Sequence, residues 1–140
     1  IGICQAAIQV AMTISRRFSI ITTLPRSIPI IEDLVSDYGA DRHCRKVRAI
    51  NLPVLGLEED PAMAEQLLIR EIETAKQQDR AEAIILGCAG MSALCDRLRE
   101  ATGVPVIDGV TAAIKMAEAL VGAGYVTSKV NAYDYPRVKG

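Results

Sequence analysis

The sequence has a single histidine, His43, and its four cysteines show neither a CxxC pair nor any other metal-ligand spacing. Both features argue against a metal centre. No apolar run approaches the roughly 18–20 residues of a membrane span, because Lys, Arg, Asp or Glu interrupts every long apolar region. Basic excess is also missing. Sixteen Lys and Arg face 17 Asp and Glu, for a formal net charge of −1, so the chain lacks the charge expected of a nucleic-acid binder. No internal repeat and no low-complexity segment is evident. The first residue is Ile1, with neither the basic region nor the small-residue cleavage site of a signal peptide. Without a sign of secretion, a cytoplasmic location and four free thiols are expected rather than two disulfides. The opening IGICQAAIQVAMTISRRFSI reads as the middle of a domain, so the chain is expected to be N-terminally truncated.

What is present is the composition of an ordinary globular domain. Half of the 140 residues are hydrophobic and a quarter are charged, enough for one sizeable core. Helical spacing of Ala6, Ala7, Val10, Ala11 and Ile14 predicts a helix over 2–15. Residues 17–23 (RFSIITT) read as a strand, followed by the loop Leu24-Pro25-Arg26-Ser27. Ser27 is placed to cap a helix with Pro29 in its first turn, ending at Gly39. CRKVRAI (44–50) reads as a second strand entering Asn51-Leu52-Pro53-Val54. Asp60-Pro61 pairs an N-cap with a first-turn proline and predicts a helix to about Gln78, with Met63, Leu67, Leu68 and Ile72 on its packing stripe. Ala83–Leu86 is short and wholly apolar, as expected for a strand buried on both faces. A helix follows from about Met91 to Ala101, ended by Thr102-Gly103. Val104–Ile107 is a further strand, and Pro105 puts it at a sheet edge or at the strand start. Asp108-Gly109 starts the last helix, about Val110 to Val121, with Ala112, Ala113, Met116, Ala117 and Leu120 as its packing face and Gly122 and Gly124 closing it. Residues 1–124 are read as one α/β lobe and 125–140 as a C-terminal tail.

Strands alternating with helices imply an α/β fold with a mainly parallel sheet flanked by helices. Ligands of such sheets bind at the carboxyl ends of the strands, here Thr22-Thr23, Pro53-Val54, Gly87-Cys88 and Asp108-Gly109. Cys88 falls where a strand turns through Gly87-Cys88-Ala89-Gly90 into a helix. Free N–H groups and the helix dipole would favour its thiolate there, although a small buried hydrophobe is the plainer reading. Nucleophilic catalysis normally needs a histidine, and His43 precedes a strand, at the opposite end of the sheet. A redox pair with Cys95 is also disfavoured: seven residues of helix separate the thiols by roughly 10 Å along the axis. Cys95 is expected in the core. The turn lacks the spacing and the lysine of a phosphate loop. Proton abstraction from a carbon acid remains, with Cys88 as base, the N–H groups of Ala89, Gly90 and Met91 facing an enolate oxygen, and Thr22 and Thr23 binding substrate.

Several blocks carry a resemblance. They are Phe18-Ser19-Ile20-Ile21-Thr22-Thr23-Leu24 with Arg26-Ser27, Leu52-Pro53-Val54-Leu55 with Glu58-Glu59-Asp60-Pro61, and Ile85-Leu86-Gly87-Cys88-Ala89-Gly90-Met91. Gly103-Val104-Pro105-Val106-Ile107-Asp108 and Thr127-Ser128-Lys129 complete the set. With these the chain resembles the hydantoin racemases, and within them the allantoin racemases, of the aspartate/glutamate racemase superfamily. The resemblance implies a cofactor-independent isomerase acting on a small molecule and commonly assembled as a homo-oligomer. It implies two pseudo-symmetric lobes, each giving one cysteine to opposite faces of the substrate carbon. Cys88 would be the second-lobe cysteine, and this chain would hold about one lobe, without the first-lobe cysteine. Cys4 lies in a crossing helix without the first-lobe motif around it. Two other readings stand beside this one: a single-cysteine decarboxylase on the same fold, and a non-catalytic or assembly domain with an inert Cys88.

Overall fold

The computed structural model describes residues 1–87 and 93–138. Helix α1 (Ile3–Ile14) leads into strand β1 (Phe18–Thr22), and a 3-10 turn at Pro25–Ser27 runs into α2 (Ile28–Asp37). Strand β2 (Cys44–Ala49), a short helix α3 (Val54–Glu59) and α4 (Pro61–Thr74) come next. A π-helical turn at Ala75–Asp79 extends α4 before β3 (Ala83–Leu86). Helix α5 (Cys95–Thr102), β4 (Val106–Asp108) and α6 (Gly109–Ala123) complete the order. The four strands form one parallel sheet in the order β2-β1-β3-β4. The expected α/β architecture is therefore present.

Alternation along the strands sends successive side chains to opposite faces, and each face meets its own helices. Phe18, Ile20, Ile85 and Ile107 pack with Ala7, Ile8, Ala11, Ile31 and Val35 on the side of α1 and α2. Ile21, Ile84, Leu86 and Val106 pack with Leu68, Ile72 and Leu98 on the side of α4 and α5. Every residue of β1 and of β3 is buried, as inner strands covered on both faces require.

Capping follows the sequence in most places. Asp60 accepts a hydrogen bond from the Met63 N–H at 3.1 Å with Pro61 beside it, a cap contributing about 1 kcal/mol. Gly103 and Gly124 stand at the ends of α5 and α6 with φ of 74° and 80°. Ser27 does not cap α2: its backbone is already helical, continuing the 3-10 turn, and its side chain makes no cap bond. Val54–Glu59 is helical where no element was expected, and Leu57 from it reaches the core. Strand β4 begins one residue past Pro105, which has no N–H for the ladder and offers only its carbonyl, to the Ile84 N–H at 2.9 Å. The edge position inferred from Pro105 holds.

Two features were not visible in advance. The first is the packing of α1 on α6, two helices that share a short pattern, Ala6-Ala7-Ile8 with Ala11 in one and Ala112-Ala113-Ile114 with Ala117 in the other. In α1 the four residues are buried, with Ala7, Ile8 and Ala11 against the sheet. In α6 Ala112 is buried, while Ile114 is 53% and Val121 78% exposed. Most of the expected packing face of α6 is thus uncovered beyond its first turns, Leu120 included. Gly122 lies within the helix rather than closing it. Residues 125–138 form no helix or strand and are exposed.

The second is a buried polar knot. Arg48 on β2 donates from Nε and Nη2 to the two carboxylate oxygens of Asp79 at 2.7 and 2.6 Å. Its Nη1 reaches Glu71 of α4 at 3.1 Å, and Ser19 of β1 donates to Asp79 at 2.8 Å. Burial by itself pushes the Asp79 pKa up, but the hydrogen bonds from Arg48 and Ser19 outweigh it and hold the carboxyl below its ordinary 3.8. The knot ties β1, β2 and the end of α4 together.

Removing one partner of a buried pair strands the other charge. Arg48→Ala is expected to cost about 3–5 kcal/mol in urea unfolding at pH 7. Because the folded pKa of Asp79 is lowered, its contribution is complete above the ordinary 3.8 and is lost as pH falls through the folded value. Asp79→Asn should therefore flatten the acid limb of stability against pH, and an unchanged limb would count against the knot.

Candidate active site

Parallel pairing brings the carboxyl ends of β1, β3 and β4 to one edge. Thr22 and Thr23 lie there, buried to 2% and 5% exposure. Their carbonyls accept from the N–H groups of Ile50 and Leu52, both at 3.0 Å, which ties the start of the loop after β2 to this edge. Neither threonine hydroxyl has a hydrogen-bond partner among the described residues. Gly87 ends β3 beside them, with its N–H donating to the Ile21 carbonyl at 2.8 Å. A Cβ on Gly87 would stand 3.3 Å from both Thr22 Cβ and Ile20 Cγ2, so the close approach of β3 to β1 favours glycine here.

A cavity of about 260 Å³ opens at this edge. Leu86, Gly87, Asp108 and Gly109 form its floor, while Ile3, Cys4 and Ala7 of α1 and Ile31 and Leu34 of α2 form its walls. Its lining is mainly apolar. Asp108 brings a carboxylate that caps α6, accepting from the Val110 N–H at 2.9 Å and the Thr111 hydroxyl at 2.7 Å. Gly109 meets Ile3 so closely that a Cβ would overlap the Ile3 side chain and stand 2.8 Å from its carbonyl oxygen. That contact sets α6 against the start of α1. Thr22 and Thr23 stand next to the cavity, not in its lining.

The wall residues from α1 and α2 were not foreseen as site residues. Their apolar spacing marked the faces as core, and they do border the core; only the sheet order shows that they also overhang the strand ends.

Cys88, Ala89 and Gly90, with the neighbouring Met91 and Ser92, lie outside the described residues. The other three thiols are described and free. Burial raises the pKa of Cys4 above the usual thiol value, so the one thiol lining the cavity among the described residues is held as SH. Burial likewise pushes Cys95 up to about 11, helped by the negative charges of Asp108 and Asp96. It sits in the core as expected. Cys44 is pushed up to about 12, again chiefly by burial. None of the three is poised as a thiolate at neutral pH. His43 lies at the amino end of the sheet, where its carbonyl accepts from the Phe18 N–H, remote from Gly87. Among the described residues no group of three His, Cys, Asp or Glu side chains is arranged to hold a metal ion. No helix among them is long and apolar enough to cross a membrane.

A family model described as Asp/Glu/Hydantoin racemase matches residues 1–117. The chain is 82% identical over 139 residues to a hydantoin racemase of Rhizobium meliloti, covering 99% of this chain and 58% of that protein. It is 42% identical over 139 residues to a hydantoin racemase of Pseudomonas sp. strain NS671, covering 99% of this chain and 56% of that one. Among solved structures, the allantoin racemase from Klebsiella pneumoniae matches with a TM-score of 0.94 at 44% identity, over 99% of this chain and 57% of its own. That from Pseudomonas fluorescens matches with a TM-score of 0.92 at 46% identity, over 99% and 59%. The chain spans less than two thirds of the length of each of these relatives.

Proposed function

This chain belongs to the Asp/Glu/hydantoin racemase family, and from that membership we propose that it carries one half of a two-base site for racemising a 5-substituted hydantoin or allantoin. Cys88 is one of the two bases; the other is a cysteine of a lobe that this chain does not contain. The observation that carries the reading is the position of Gly87. Strand β3 delivers it to the floor of the apolar cavity at the carboxyl edge, and the next residue in the chain is Cys88. The raised pKa values of Cys4, Cys44 and Cys95 disfavour them as alternative bases.

In this reading the Cys88 thiolate takes the proton from C5 of the ring. The electron pair left on carbon moves onto the adjacent carbonyl, and the N–H groups of Ala89 and Gly90 stabilise the resulting enolate oxygen. The thiol on the opposite face then returns a proton to C5, giving the mirror-image centre and leaving that second sulfur as the thiolate. The reverse sequence handles the other enantiomer. No electron leaves the substrate, so no cofactor is required. The hydroxyls of Thr22 and Thr23, which have no hydrogen-bond partner among the described residues, bind the polar edge of the ring.

The pattern shared by α1 and α6 supports the half-site reading. The small-residue face of α1 is buried, while on α6 Ala112 is buried but Ile114 and, further along, Val121 are exposed. A second α/β lobe packed there would stand to α6 as this lobe stands to α1. Residues 1–124 would be one lobe of the pair and 125–140 a tail reaching beyond it, in a cytoplasmic enzyme assembled from several copies.

Alkylation with iodoacetamide across pH, read at each cysteine by mass spectrometry, tests the role of Cys88. Its midpoint is expected at least one unit below the ordinary thiol value of about 8.5. A midpoint at or above that value would remove Cys88 as the base. The exposed face of α6 predicts a second result. Sedimentation velocity should show concentration-dependent self-association that Ile114→Glu with Val121→Glu abolishes; unchanged sedimentation would show that this face is not a contact.

A further inference from the structure

The end of the sheet opposite the cavity holds an unexplained concentration of positive charge. Arg16 and Arg17, in the loop between α1 and β1, meet Arg42 and His43, in the loop between α2 and β2, around a depression of about 380 Å³. The two loops are fastened to one another. Arg17 donates from Nη1 to the carbonyls of Arg16 and Arg42 at 3.3 Å, His43 Nδ1 donates to the Arg16 carbonyl at 3.1 Å, and the Phe18 N–H donates to the His43 carbonyl at 3.0 Å. Two carboxylates lie on neighbouring segments, and both have other bonds. Glu82 accepts the backbone N–H groups of Arg16 and Arg17 at 3.1 and 2.8 Å, and Asp41 accepts the Ser36 hydroxyl at 3.5 Å.

None of the three guanidinium groups has an ion-pair partner among the described residues, and those of Arg16 and Arg42 make no hydrogen bond there either. Like charges held together by a preorganised backbone repel one another until an anion joins them. Planar guanidinium groups are the side chains best matched to the paired oxygens of a phosphoryl group. Binding here would order little that is not already fixed.

We propose that Arg16, Arg17, Arg42 and His43 form a binding site for a compact polyvalent oxyanion of the diphosphate class, separate from the cavity at the other end of the sheet. The site is independent of the racemase reading, since it uses none of the residues assigned to that chemistry. Arg17 organises the two loops, and Arg16 and Arg42 supply the free donors.

Calorimetric titration of the 140-residue chain with sodium pyrophosphate and with ADP, at constant ionic strength set by chloride, tests this. Saturable binding of about one equivalent is expected, together with shifts of the Arg16, Arg17 and Arg42 Nε–H resonances in 15N spectra. Comparable affinity for both probes would show that the diphosphate alone is read, and tighter binding of ADP that an organic group adds contacts; either supports the site. Arg16→Gln with Arg42→Gln, at exposed positions whose side chains make no hydrogen bond or ion pair among the described residues, is expected to weaken binding at least tenfold. Absence of saturation, shifts spread over other arginines, or an affinity unchanged in the double variant would each overturn the proposal.

Discussion

Strands β1 and β3 have no face open to water, and the rest of the molecule follows from that constraint. A parallel pair buried on both sides needs helices above and below. The chain supplies them: α1 and α2 on one face, α4 and α5 on the other, with α2, α4 and α5 as the crossovers between strands. Crossovers that return each strand in the same direction also gather the carboxyl ends along one edge. The apolar cavity, Gly87 and the Asp108 cap all sit at that edge because of strand direction. The polar knot of Arg48, Asp79 and Ser19 is the exception inside this apolar arrangement. It satisfies a charge buried under α4, where a hydrocarbon side chain would otherwise be expected.

How much of this the sequence discloses varies with the range of the interaction involved. Local signals read well: Asp60-Pro61 starts a helix, Gly103 and Gly124 stand at helix ends, and the apolar run Ala83–Leu86 is an inner strand. Those outcomes depend on a few neighbouring residues. Ser27 reads as a cap and is not one, because a 3-10 turn had already made its backbone helical. Pairings distant in sequence stay hidden. Nothing near Arg48 in the chain announces Asp79, and nothing near Arg16 announces Arg42. The cavity walls from α1 and α2 are invisible for the same reason, since a helix face that packs on a sheet looks the same in sequence whether or not it also overhangs a site.

The face of α6 is the most informative departure. Its small and apolar residues follow helical spacing, so the sequence reads them as packed, yet beyond the first turns Ala117 and Leu120 are exposed. The matching face of α1 shows what such a face is suited to: lying across a parallel sheet. The lobe thus carries an apolar cavity at one edge of its sheet and a last helix that is exposed beyond its first turns. Burial holds the thiols of Cys4, Cys44 and Cys95 protonated.

The central claim is that this chain supplies one base of two. Its most direct test is complementation: the chain is mixed with the separately produced part of the Rhizobium meliloti hydantoin racemase that it does not match, and racemisation of a single hydantoin enantiomer is followed by polarimetry. The account predicts no rotation change with either piece alone, a decay of rotation to zero on mixing, and loss of that decay with Cys88→Ser. Racemisation by this chain alone, or by the mixture carrying Cys88→Ser, would contradict it.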